Sequence, residues 1–126
     1  MEFHEQLPDE CPPSQAEDII EQRDVFRLVA SNPPTESDFK SHKAQKPHIN
    51  YTDECRARAL SVCSTQASAE RTSKLPNMIK KGAVICCRVK LLSGSGKILQ
   101  TGTDLEHYSW WRSADFNPIE NCEVVI

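Results

Sequence analysis

Apolar positions along this chain fall in short blocks separated by proline- and glycine-marked turns, and several of those blocks carry the signature of β-strands. Asp24-Val25-Phe26-Arg27-Leu28-Val29-Ala30 is rich in β-formers and stops at Asn32-Pro33-Pro34, which predicts a strand. Leu60-Ser61-Val62-Cys63 predicts a second, shorter one. The strongest signal is Ala83–Leu92, followed by Ser93-Gly94-Ser95-Gly96 and then Lys97-Ile98-Leu99-Gln100-Thr101, a pattern that predicts a β-hairpin. Cys122-Glu123-Val124-Val125-Ile126 predicts the last strand.

Helical signals lie between these blocks. Ser14-Gln15-Ala16-Glu17 has the form of a capping box and predicts a short helix through Glu21 with Ile19 and Ile20 on its buried side. Pro33-Pro34-Thr35 introduces a predicted helix over Glu36–Ala44, with Thr35 placed to cap the amide near Asp38. A further helix starts behind Thr52 and carries Arg56, and another covers Gln66–Lys74, closed by Leu75-Pro76 before a basic loop at Lys80-Lys81-Gly82. Gly102–Asn117 shows no clear period and reads as irregular. The elements together predict a small single α+β domain over residues 1–126, mainly antiparallel sheet with two to four short helices, with residues 1–13 as a poorly ordered N-terminal arm.

Composition narrows the class without changing it. The 126 residues are 38% hydrophobic and 26% charged, enough for one modest core. No apolar run approaches the ~20 residues of a membrane-spanning helix, and the acidic start lacks the basic-then-apolar order of a signal peptide, so a cytoplasmic chain is expected. Cys11, Cys55, Cys63, Cys86, Cys87 and Cys122 are scattered with no C-x-x-C pair, and free, mostly buried thiols are expected. Adjacent Cys86 and Cys87 should point to opposite faces of their strand.

Charge is unevenly spread. Residues 1–38 hold ten acids and two bases (−8), residues 39–101 twelve bases and three acids (+9), and residues 102–126 five acids and one base (−4). The expectation is that the acidic ends lie across the basic middle and satisfy it internally. The bases are dispersed, with Lys40, Lys43 and Lys46 at helical spacing, Arg56 and Arg58 a pair, and Lys80-Lys81 a doublet. Few aromatics stand among them, so nucleic-acid binding through this middle segment is a minor reading.

The chemistry-bearing concentration is His107-Tyr108-Ser109-Trp110-Trp111-Arg112, which holds both tryptophans of a chain only 6% aromatic. Predicted as loop, it offers His107, Tyr108, Trp110, Trp111 and Arg112 as a surface for a partner or a flat ligand, because Trp, Tyr and Arg dominate binding hot spots. Asp104, Glu106, His107 and Cys122 have no diagnostic metal spacing, and no metal site is expected. Gly94 and Gly96 fit a turn rather than a phosphate loop. Arg27, a charge inside an apolar strand, either faces solvent or lines a cleft.

Two resemblances add to this reading. Val25-Phe26-Arg27-Leu28-Val29, Asn32-Pro33-Pro34-Thr35, Leu60-Ser61-Val62, His107-Tyr108-Ser109-Trp110-Trp111 and Cys122-Glu123-Val124 together resemble a group of small uncharacterised bacterial proteins, which implies one bacterial cytosolic domain and no specific activity. The order Arg27, Ser61, Glu123 also resembles ADP-ribosyltransferases of the arginine–serine–glutamate type. That likeness implies NAD as ligand, with Arg27 on its diphosphate, Ser61 supporting the nicotinamide ribose and Glu123 stabilising an oxocarbenium-like transition state. Ser61-Val62-Cys63-Ser64-Thr65 matches that family's serine–threonine–serine strand only loosely, and Glu120 and Glu123 lack its glutamate-x-glutamate spacing. The leading expectation is a protein-interaction or regulatory module of immunity or antitoxin type, without cofactor or membrane, whose partner is another protein or a second copy of the chain. The NAD-binding enzyme is the alternative.

Overall fold

A computed structural model describes residues 1–125 of the chain. The described strands are β1 (Glu17–Asp18), β2 (Arg23–Val29), β3 (Leu60–Cys63), β4 (Ile85–Leu91), β5 (Gly96–Gln100), β6 (His107–Arg112) and β7 (Cys122–Val124). They pair antiparallel throughout, in the order β1-β5-β6-β3-β2-β4-β7. Four short helices, α1 (His42–Gln45), α2 (Glu54–Ala57), α3 (Gln66–Ser73) and α4 (Pro76–Lys81), complete the α+β domain expected from the pattern. No helix among the described residues is long and apolar enough to cross a membrane.

The connection from β4 to β5 shapes the whole sheet. Three strands lie between them in the sheet order, a separation of about 19 Å if the sheet were flat. Yet only Leu92–Ser95 joins them, tightened by a Ser95 N–H bond to the Leu92 carbonyl at 3.0 Å. So short a linker requires the sheet to fold over, with β7-β4-β2 as one half and β1-β5-β6-β3 as the other. The expected hairpin is therefore corrected: β4 pairs with β2 and β7, and β5 with β1 and β6. A β4 buried on both sides, with Cys87 on one face and Cys86 on the other, gains more from a central place than from pairing with its sequence neighbour. Gly96 is obligatory at the start of β5, since a Cβ there would sit 2.1 Å from the Trp111 carbonyl oxygen.

Three more expectations are corrected. Ser14–Glu21 forms no helix; Glu17 and Asp18 pair with Ile98 and Lys97 at the sheet edge, Ile19 is buried and Ile20 is 75% exposed. A helix of about two turns gains little over its nucleation cost, and here the edge pairing with β5 prevails. The predicted helix over Glu36–Ala44 is split into a 3-10 turn at Glu36–Phe39 and α1, because Ser41 caps α1 by accepting from the Ala44 N–H at 3.1 Å. The basic loop after Leu75 is instead α4, with Pro76 at its first turn and Gly82 closing it at φ 74°. The helices carrying Arg56 and covering Gln66 onward, and the strand Leu60–Cys63, form as expected. Of the predicted last strand, Cys122–Val124 forms, and Ile126 lies outside the described residues.

The folded sheet encloses the main core, in which Val25, Val62, Val89, Leu91 and Ile98 meet Trp110, with Phe39 and Phe116 closing it. The outer faces are covered separately. Ala69 of α3 packs on Phe26, Leu28, Cys63 and Cys86, while Phe3, Leu7 and Cys11 of the N-terminal segment pack with Cys55 and Ala59 on Trp111. Residues 1–13 are thus laid against β6, with the His4 N–H bonded to the Arg112 carbonyl at 2.9 Å. Cys11 and Cys55 form a disulfide, which corrects the expectation of free thiols for that pair; Cys63, Cys86, Cys87 and Cys122 are free. Sequence spacing concealed the pair because the bridge joins residues 44 apart, brought together by the packing around Trp111. The charge blocks do interleave: Asp18 pairs with Lys97, Asp24 and Glu123 with Arg88, and Glu106 with Arg71.

Candidate functional site

The two half-sheets are stitched together at β2 and β3 by a single residue pair, Phe26 opposite Cys63. Beyond that pair the strands part, and the gap opens into a cavity of about 550 Å³. That lies within the range of small-molecule sites. The 3-10 turn and α1 form one wall through Asp38, Lys40 and His42, and α4 forms the opposite one through Asn77, Met78 and Lys81. Leu28, Val29, Ala59 and Val62 give the interior apolar patches.

Arg27 reaches into this gap from β2. Its Nε donates to the Asp38 carbonyl at 2.9 Å, Nη1 to the Ser61 carbonyl at 2.8 Å and Nη2 to the Lys40 carbonyl at 3.4 Å, and the guanidinium lies 5.8 Å from the Phe39 ring centre. Three of its five donors are thereby held by backbone carbonyls of two segments, the 3-10 turn with Lys40 and strand β3, and two remain. Among the described residues no carboxylate forms an ion pair with it. Burial lowers its pKa to about 10, a shift that the charge of Asp38 opposes, so the group stays cationic at neutral pH. The Asp38 carboxylate is itself committed elsewhere, accepting the Ala30 N–H and the Thr35 N–H at 2.9 Å each.

Ser61 and His107 join Arg27 in the lining. They stand on neighbouring strands, since Ser61 pairs with Ser109 and Cys63 with His107. His107 Nδ1 lies 3.1 Å from the Thr101 carbonyl oxygen. The Thr101 hydroxyl oxygen lies at the same 3.1 Å from Nδ1, so this ring nitrogen is anchored to Thr101. Cys63 is also in the wall, but burial raises its thiol pKa, which argues against a nucleophile.

Glu123 does not converge with these residues. The register Phe26–Arg88–Glu123 puts it on the sheet face that Ser61 and His107 also share through the Phe26–Cys63 pair, so strand distance rather than face separates it from the cleft. It stands two strands from β2, about 10 Å away, where it pairs with Arg88 and lies outside the cavity lining. The motif order that suggested a triad carried no information about strand order in the sheet.

The His107–Arg112 segment is likewise corrected from loop to strand: it is β6, internal to the sheet. Trp110 and Trp111 are 0% and 1% exposed, and their indole N–H groups donate to the Ser95 and Cys55 carbonyls at 3.1 and 3.0 Å. Adjacent tryptophans both bury because each face of β6 has its own cover, the folded sheet on one side and the N-terminal segment on the other. Buried Arg112 is spent on Glu36 at 2.6 Å, and half-buried Tyr108 lies under the Arg23 guanidinium at 5.5 Å. Of the proposed partner surface His107 lines this cavity, while Trp111 and Arg112 border only a small void of about 10 Å³ under the N-terminal segment.

The residues not foreseen are Asp38, Lys40, His42 and Lys81. The two lysines were visible as members of dispersed basic groups, but only the fold brings them to one opening. Asp104, Glu106, His107 and Cys122 build no metal site, and among the described residues no three such side chains cluster. Comparison of the chain with protein-family models, with curated proteins and with solved structures finds no match to any of them.

Proposed function

We propose that this domain is a small-molecule-binding module whose cleft between β2 and β3 takes an anionic ligand bearing a flat ring, with NAD as the leading ligand. The observation that carries the reading is Arg27: a cation at the parting of two strands, held by carbonyls, with two donors unspent and no carboxylate partner among the described residues. Such a group recovers its desolvation cost when an anion arrives. The apolar patches from Leu28, Val29 and Val62 suit a ring, and Ser61 and His107 offer polar contacts beside it. Glu123 has no part in this reading, so no transfer step is assigned.

A role in binding a protein partner drew on the acidic ends and an exposed aromatic loop, and with Trp110 and Trp111 interior the second of these no longer supports it. Isothermal titration of NAD into the wild type tests the proposal, with Arg27→Met as the comparison. Saturable binding that weakens at least tenfold in Arg27→Met is the expected result. Equal affinity in both proteins, or no heat at millimolar NAD, overturns it.

A further inference from the structure

The opening of the cleft carries cations that contact with Arg27 leaves unused. Lys40 follows the 3-10 turn, His42 begins α1 and Lys81 ends α4, so basic groups from both walls face the same space. Neither lysine forms an ion pair among the described residues. The nearby carboxylates are committed: Asp38 to the Ala30 and Thr35 amides, Glu5 to the Ser41 hydroxyl at 2.8 Å, and Glu54 to Lys43 and Arg58 at 3.2 and 3.3 Å. Asp38 is the one acid among the described residues of the lining, against Arg27, Lys40 and Lys81, so the balance of charge in this concave site is positive and concentrates anions.

Resting on the reading of the cleft as a ligand site, we propose that Lys40, His42 and Lys81 form a second anion subsite at its mouth. This subsite takes a phosphate monoester of the ligand and draws a proton onto His42 as it fills. The preferred ligand class is then one with two separated anionic groups, the inner at Arg27 and the outer, a phosphate, at the mouth. The charges facing His42 are Lys81 from α4, Arg27 from β2 and Lys46 at the end of its own helix, all cationic, and with burial they hold its pKa below the usual value. A dianion among them reverses that balance, so phosphate and proton bind with mutual reinforcement.

The test follows the His42 ring resonances by NMR through a pH titration of the full chain, in inorganic phosphate and in chloride at matched ionic strength. The His42 pKa is expected to rise in phosphate by about one unit. Lys81→Ala should abolish that rise. Lys46→Ala, which removes a neighbouring charge outside the cleft, should lift the starting pKa and keep the rise. A His42 pKa identical in both salts, or a rise that survives Lys81→Ala unchanged, overturns the subsite. If NAD fails to bind while phosphate still moves His42, the dinucleotide reading fails and the subsite stands. As a ligand pair, NADP should outbind NAD at pH 6 by about tenfold, with the advantage shrinking by pH 8; equal affinity at both values contradicts the proposal.

Discussion

Arg27 Nη1 donates to the Ser61 carbonyl at 2.8 Å across the point where β2 and β3 part, so one side chain both braces the gap and lines it. The dual role has a stability consequence. Arg27→Met leaves the Asp38 and Ser61 carbonyls to find other donors, and a loss of about 1–3 kcal/mol is expected. Arg27→Lys should recover only part of it, since an ammonium cannot span three carbonyls with a planar fork. Urea denaturation midpoints of the three proteins check this.

Arg112 is a buried cation whose charge is answered by the half-exposed Glu36. Glu36→Ala therefore costs more than a surface substitution, about 1–3 kcal/mol, because it strands Arg112 among apolar neighbours. Thermal unfolding should show the loss, and the double variant Glu36→Ala, Arg112→Met should recover some of it.

The Cys11–Cys55 bridge closes a loop with a sequence separation of 44 and pins the N-terminal segment over Trp111. The chain-entropy relation for such a loop gives about 4 kcal/mol. Denaturation with and without reductant should differ by a comparable amount, while the double Cys11→Ser, Cys55→Ser variant should no longer respond to reductant. Without reductant, iodoacetamide should leave native Cys63, Cys86 and Cys87 largely unlabelled, since burial hides them and raises their thiol pKa values.

His42 makes stability pH-dependent in a definite direction. Its folded pKa lies below the ordinary histidine value of about 6.5, chiefly through burial, then through Lys81, Arg27 and Lys46. The unfolded chain therefore binds more protons in the window from the folded pKa up to about 6.5, and stability falls as pH drops through that window. His42→Gln should flatten this segment of the stability profile and leave the profile above pH 7 unchanged.

Local elements were largely legible in the chain, and long-range placement was not. The strand at Arg23–Val29 and the one at Leu60–Cys63 announce themselves through β-formers and flanking turn residues. Whether β4 pairs with β5 or with β2 depends on a fold-over that no local pattern encodes, and the same gap turned β6 into a predicted loop. The cleft was half legible: Arg27 was conspicuous as a charge in an apolar strand, and Ser61 and His107 were named with it. Lys40 and His42 lie before β3 and Lys81 after it, so only folding assembles them. Glu123 shows the converse, a residue in the right order along the chain but two strands from β2 and outside the cavity lining.

The central claim, that the β2–β3 cleft is the ligand site, is tested most directly by amide chemical-shift mapping during an NAD titration. Saturable shifts centred on Arg27, Ser61 and His107, with Glu123 and Trp111 unmoved, are the predicted result. Shifts centred on Glu123 and β7, or none at millimolar NAD, would contradict it.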